Sequence, residues 1–107
     1  MSQFDDRKKA AENKFSIDKE LEFKATARRN KLLGQWAAGL MGMEGEAIDA
    51  YAAQVIESDF EEAGDEDVYR KIAGDFETAE VEQSEHQIRK QMEELFVTAL
   101  EQIRSEV

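Results

Sequence analysis

Asp59, Glu61, Asp65 and Asp67 crowd around Gly64, a spacing that invites comparison with a calcium-binding loop. A twelve-residue loop frame begun at Asp59 puts Gly64 correctly at the sixth position, with acids at the first, third, seventh and ninth. Its fifth position is Ala63, which has no side-chain oxygen, and its twelfth is Arg70, a cation where a bidentate Glu is required. The run therefore reads as a solvated acidic hairpin, and no metal is expected there. His86 is the only histidine and stands beside Glu85 on a charged face, as a surface residue. The absence of cysteine removes thiol nucleophiles, disulfides and thiolate metal sites together, and fits a reducing cytoplasm. No G-x-S-x-G or G-x-x-x-x-G-K-[ST] pattern occurs, and Gly39, Gly42 and Gly45 lack the Lys and Ser/Thr of a phosphate loop. Carboxylate pairs are so frequent that none is singled out as an acid/base couple. Neither catalysis nor a cofactor is expected. The nearest approach to a ligand site is the group Arg28, Arg29 and Trp36, which suggests weak nucleotide binding by a sensor bundle.

The charge is divided along the chain. Residues 1–31 carry nine bases against six acids, whereas residues 32–107 carry five against nineteen, giving blocks of +3 and −14 that sum to −11. Such asymmetry implies a segment with its own partner attached to a separately soluble body. The acidic body repels phosphates and the basic block is weak, so nucleic acid is not an expected partner. The first fifteen residues have scattered charges and no apolar run, unlike a secretory signal. No stretch reaches the roughly 20 apolar residues needed to cross a bilayer, so a cytoplasmic protein without membrane insertion is expected.

The absence of Pro, only six Gly, and abundant Ala, Glu, Lys, Leu and Gln predict an all-α chain of one domain. Ser16 is a candidate N-cap for a first helix with Ile17, Leu21, Ala25, Leu32, Trp36 and Leu40 on one face. The sequence GLMGMEGE then reads as a turn. A second helix is expected over Glu46–Phe60, with Ile48, Tyr51, Ala52, Val55 and Ile56 inward and Gly64 as its C′ residue. Asp65 should cap a third helix bearing Val68, Tyr69, Ile72, Phe76 and Ala79. Ser84 and Gln87 form a capping-box pattern opening a fourth, with Ile88, Met92, Leu95, Phe96, Ala99, Leu100 and Ile103 inward. No strong breaker marks the boundary within Thr78–Gln83. Four amphipathic helices with short connections predict an antiparallel four-helix bundle over 16–107.

Residues 1–15 differ. Their thin stripe of Phe4, Ala11 and Phe15 cannot offset roughly 1–2 kcal/mol per residue of backbone entropy. This segment is expected to be mobile and disordered alone, and to fold as a helix in a partner's groove. No Pro, and no Gly before Gly34, interrupts a helix over 5–33, which would be about 44 Å long. Phe23 lies about 160° from the centre of the first helix's stripe, so it either widens the apolar face or serves as an exposed contact. Arg28, Arg29 and Lys31 follow on what reads as a solvated basic face.

FDDRKKAAENKF, ELEFKATARRNKLLGQWAAGLMG and SDFEEAGDEDVYRKI together resemble the zeta subunit of the alphaproteobacterial F-type ATP synthase, in order and over nearly the whole chain. That resemblance implies an inhibitor of ATP hydrolysis, similar in role to the mitochondrial ATPase inhibitor protein. It implies that the N-terminal segment enters an alpha/beta catalytic interface, becomes helical and blocks rotation of the gamma shaft. On this sequence the inhibitory element maps to Phe4, Asp5, Asp6, Arg7, Lys8, Lys9, Ala11 and Phe15; Phe23, Arg28 and Arg29 are a candidate secondary contact from their helical position alone. The implied partners are the alpha, beta and gamma subunits at the cytoplasmic face of the inner membrane, with the free protein a monomer. A general interaction module with some other partner is the alternative.

Overall fold

The computed structural model describes residues 19–60 and 64–106. They form four helices: α1 (Lys19–Leu40), α2 (Glu46–Ser58), α3 (Glu66–Ala79) and α4 (Glu85–Ser105), with no strand among the described residues. The expected N-cap Ser16 lies outside that range. The connections 41–45, 59–65 and 80–84 are too short for anything but antiparallel neighbours, which gives the expected four-helix bundle. α1 touches all three other helices and packs most extensively on α2 and α4, whose backbones do not approach each other closely.

The sequence pattern misplaces the buried face of α1. Of the expected stripe Ala25 is fully enclosed, but Leu32 and Trp36 are only half-buried and Leu40 is exposed, whereas Leu33, Ala37 and Ala38, outside the stripe, are fully enclosed. The buried face is turned by roughly 100°, about one residue, from the stripe of large apolar side chains. The reason is the small residues. Gly34 meets α2 so closely that a Cβ there would lie 2.6 Å from the Cα of Ala52. Close backbone approach selects Gly and Ala, which a hydrophobic-period reading discounts in favour of Leu and Trp.

Around this contact Leu33, Tyr51, Val55, Val68, Ile72, Phe76, Ile88 and Met92 form the core, and the half-buried Trp36 packs edge-on against Phe76 at 5.6 Å. The Tyr51 hydroxyl donates to Asp75 Oδ2 at 2.7 Å, joining α2 to α3. Burial, then that bond, push the phenol's pKa above its ordinary range.

Two helix ends share one solution. After α1, Met43 N–H bonds the Ala38 carbonyl and Gly42 N–H the Gly39 carbonyl, with Gly42 at φ +82°. After α3, Val81 N–H bonds the Phe76 carbonyl and Glu80 N–H the Glu77 carbonyl, with Glu80 at φ +60°. Both are Schellman caps sealed by a half-buried apolar residue, Met43 or Val81, packed against the core. Glu in place of Gly at the left-handed position explains why the sequence shows no breaker between α3 and α4.

Ser84 Oγ accepts from Gln87 N–H at 3.1 Å, and Gln87 Oε1 accepts from Ser84 N–H at 2.8 Å, the expected capping box. Gly64, expected as the C′ residue of α2, instead takes its φ of +88° well past Ser58, just before Asp65. α2 stops two residues before the predicted Phe60.

Gly34→Ala should lower stability by about 1–2 kcal/mol, because α1 and α2 must separate and the overpacking outweighs the helix-propensity gain. Gly74, also helical but with nothing within 4 Å of a built Cβ, is the control. Gly74→Ala should raise stability by about 0.5–1 kcal/mol in the same chemical-denaturation experiment.

Candidate functional site

The expected inhibitory residues Phe4, Asp5, Asp6, Arg7, Lys8, Lys9, Ala11 and Phe15 lie outside the described residues, which begin at Lys19. What the structure does show is the end of the body from which that segment extends. Here the first two turns of α1, the end of α2 and the end of α4 converge.

Phe23 is 65% exposed and Phe60 is 72% exposed. With Ala27, Asn30, Ile56 and Asp59 they line one small depression. Phe23 sits only about 20° around α1 from Gly34, so it is on the side that faces α2. α2 ends at Ser58, and Phe23 overhangs it. The sequence reading set two alternatives for Phe23, and each holds a part of the answer. The apolar face is continuous, but its partner helix runs out before covering this residue. Phe60 went unremarked because an extended α2 would have absorbed it; its only signal is an aromatic between acids just before the Gly64 turn.

Arg28 donates through Nη1 to Gln102 Oε1 at 2.9 Å and to Glu106 Oε2 at 2.8 Å, and through Nη2 to Glu106 Oε1 at 3.0 Å, fastening α1 to the end of α4. The pair lies at the surface, and its hydrogen bonds hold the Glu106 carboxyl below its ordinary value.

Arg29 corrects the sequence reading. It was expected on a solvated basic face and as a secondary contact, yet it is 3% exposed. Its Nε donates to Asn30 Oδ1 at 2.7 Å and its Nη2 to Asp65 Oδ1 at 2.8 Å. Asp65 stands at the N-cap of α3, as expected, but its side chain makes no capping bond and goes to Arg29 instead. Asn30, itself buried, borders the same depression as Asp59, so neighbouring α1 residues face both ends of the α2–α3 connection. The acidic run thus has a structural use: its seventh loop position holds Arg29 and its first faces Asn30. Asp67 is buried, accepts from Arg70 Nη2 at 2.6 Å, and leaves its Oδ2 without a partner. No group of three His, Cys, Asp or Glu among the described residues is placed to hold a metal.

A groove of about 470 Å³ between α1 and α4 includes Glu22, Arg29, Asp65, Arg89 and Glu93. Both cations there are engaged. Arg29 is paired to Asp65, and Arg89 bonds Glu85 and Glu66 while stacking over Tyr69. Arg28 lines a different depression, and Trp36 lines neither. The structure does not bring the three residues of the nucleotide reading to one place. His86 is exposed.

In class this is a small helical body in which a buried arginine is tied to a surface carboxylate, with an uncovered aromatic pair at one end. The chain belongs to the ATPase inhibitor subunit zeta family, whose pattern matches residues 1–102. A protein solved by solution NMR is 45% identical over 81% of this chain and 99% of its own, with a TM-score of 0.73. No curated protein matches. The family assigns an ATPase-inhibitor role and implies interaction with an ATP synthase. No described helix is long and apolar enough to cross a membrane.

Removing Arg29 leaves Asn30 Oδ1 buried without its donor and frees the α2–α3 connection. Arg29→Ala should cost about 2–3 kcal/mol, while the surface residue change Arg28→Ala moves the melting temperature little. Below the melting range, Arg29→Ala should still act on its target as wild type does, since its charge is turned inward.

Burial raises the Asp59 carboxyl's pKa, the Asn30 amide and Arg29 charge oppose that, and Asp65 and Asp67 add to it. A carboxyl raised in the folded state contributes stability below its unfolded value, and that contribution is lost as pH rises through the folded value. Ionised Asp59 is therefore unfavourable at neutral pH. Asp59→Asn should melt above wild type at pH 7, with the difference shrinking as pH falls below about 4. Thermal melts across pH measure this directly.

Proposed function

We propose that this protein inhibits ATP hydrolysis by the catalytic head of an F-type ATP synthase, using residues 1–15 as the inhibitory element and residues 19–106 as the body that presents it. The observation that carries this reading is the family match, which starts at residue 1 and so includes the segment. The segment enters an alpha/beta catalytic interface, folds there as a helix and obstructs the gamma shaft. Its ordering is favourable only in a protein groove, where Phe4, Ala11 and Phe15 find apolar partners. Continued into α1, such a helix is stiff enough to act as a wedge of about 44 Å. The free protein is a monomer, and when bound it lies on the cytoplasmic face of the inner membrane. Its action needs no cofactor and no chemistry of its own.

The body supports the reading by what it supplies mechanically. α1, into which the segment leads, is held along its length by the core, by the Arg29 clamp and by the Arg28–Glu106 pair. A helix fixed in this way transmits force instead of yielding to it.

Hydrolysis by the isolated cognate head, titrated with this protein, tests the proposal. Deleting residues 1–15 should abolish inhibition and leave the melting temperature nearly unchanged. Phe15→Ala should weaken inhibition roughly 10- to 150-fold, the equivalent of burying one Phe. Phe4→Ala should do less, and Lys8→Ala or Lys9→Ala least, with a salt-sensitive effect. Full inhibition by the truncated protein would refute the assignment of the element.

A further inference from the structure

Resting on the reading above, we propose that the uncovered aromatic pair Phe23 and Phe60 is a second docking surface for the same catalytic head, seated beside the mouth of the groove that receives residues 1–15. The occupant has stated chemistry: an apolar surface edged by carboxylates.

Three observations select it. First, position. Phe23 is eight residues from Phe15, about 12 Å along a helix and at most roughly 28 Å if extended, so a partner gripping Phe15 lies within reach of Phe23. Second, exposure. Phe23 and Phe60, at 65% and 72%, are the most exposed large apolar side chains among the described residues, and they border the same depression. Third, charge. The adjoining depression, about 610 Å³, carries Lys24, Arg28 and Lys31 around Glu106; Arg28 is held by Glu106 and Lys24 by Glu20, so the Lys31 ammonium is the charge this edge offers a partner, against a body that is otherwise strongly acidic.

The alternative occupants fit less well. The chain's own first residues could fold back over this patch only by withdrawing Phe4 and Phe15 from the head, against the reading on which the proposal rests. A second copy would bring together two bodies whose residues 32–107 each carry −14. An external partner meets neither obstacle. The arrangement would also give bivalent attachment: once the segment is seated, the patch binds at high effective concentration, and the body resists being pulled away.

The test is inhibition of the isolated head by full-length Phe23→Ala, Phe60→Ala and the double variant. Val97→Ala, an exposed apolar residue elsewhere on α4, serves as control. Each single change should raise the half-inhibitory concentration about five- to tenfold, and the double change more, with melting temperatures unmoved and Val97→Ala like wild type. If wild type inhibits and Phe15→Ala weakens it while Phe23→Ala and Phe60→Ala match wild type, the patch is overturned and the inhibitory reading survives. If wild type does not inhibit, both fall. Stronger inhibition by Phe23→Ala would overturn the proposal in favour of the chain's own segment as occupant. A wild-type dimer in sedimentation, dissociated by Phe23→Ala, would overturn it in favour of a second copy.

Discussion

Because Gly34 carries no side chain, α1 and α2 approach until a Cβ at that position would stand 2.6 Å from the Cα of Ala52. That single close crossing sets which face of α1 is buried. With α2 drawn in on the side of Gly34 and Ala38, Leu33 and Ala37 turn to the centre and Trp36 moves to the margin against Phe76. The same crossing aims the N-terminal turns of α1 past the end of α2. Asn30 thereby meets Asp59, Arg29 meets Asp65, and Phe23 is left beyond its helix partner. The exposed aromatic end is thus a consequence of unequal helix lengths in a bundle whose register is fixed further along.

The Arg29–Asp65 pair, its cation buried and its carboxylate at the surface, then has a specific task. A connection carrying Asp59 and Asp65, with Asp67 just beyond it in the first turn of α3, repels itself and, unrestrained, would splay α3 from the core. Arg29 holds it down from α1. Pairing a buried cation is seldom a net gain over an apolar replacement of the same shape. Here it positions an acidic hairpin that an apolar residue could not hold. One end of the molecule consequently has its charges tied inward or to neighbouring helices, and its apolar surface turned outward.

Much of this was legible beforehand. Helix number, the turn at Gly42–Gly45, the Ser84–Gln87 capping box and Asp65 at the start of α3 all follow from local chemistry, where a residue's own backbone preference decides the outcome. The failures share a cause in tertiary contact. The face of α1 was misjudged because Gly and Ala at a close crossing leave no hydrophobic signal. Arg29 was placed in solvent because its acceptor, Asp65, lies far along the chain. The α3–α4 boundary was weakly marked because Glu80 adopts a left-handed conformation that the Val81 contact and the two cap hydrogen bonds sustain. Phe23 was noticed as anomalous from its helical angle alone, but Phe60, its neighbour across the α2 terminus, required knowing where α2 stops. The assignment of residues 1–15 as an inhibitory element rests on the family resemblance alone, since a thin stripe of Phe4, Ala11 and Phe15 names no partner and these residues lie outside those described.

On the proposed reading, the inhibitor acts outside its own core: the body keeps its fold when it binds, and residues 1–15 become ordered in the partner's groove. Hydrogen–deuterium exchange of the full-length protein, free and bound to the isolated catalytic head, measures that division residue by residue. The account predicts large new protection across residues 4–15, a smaller gain at the start of α1 and around Phe60, and unchanged exchange in the core turns of α1, α3 and α4. New protection concentrated in the groove between α1 and α4, with residues 4–15 exchanging as freely as before, would contradict it.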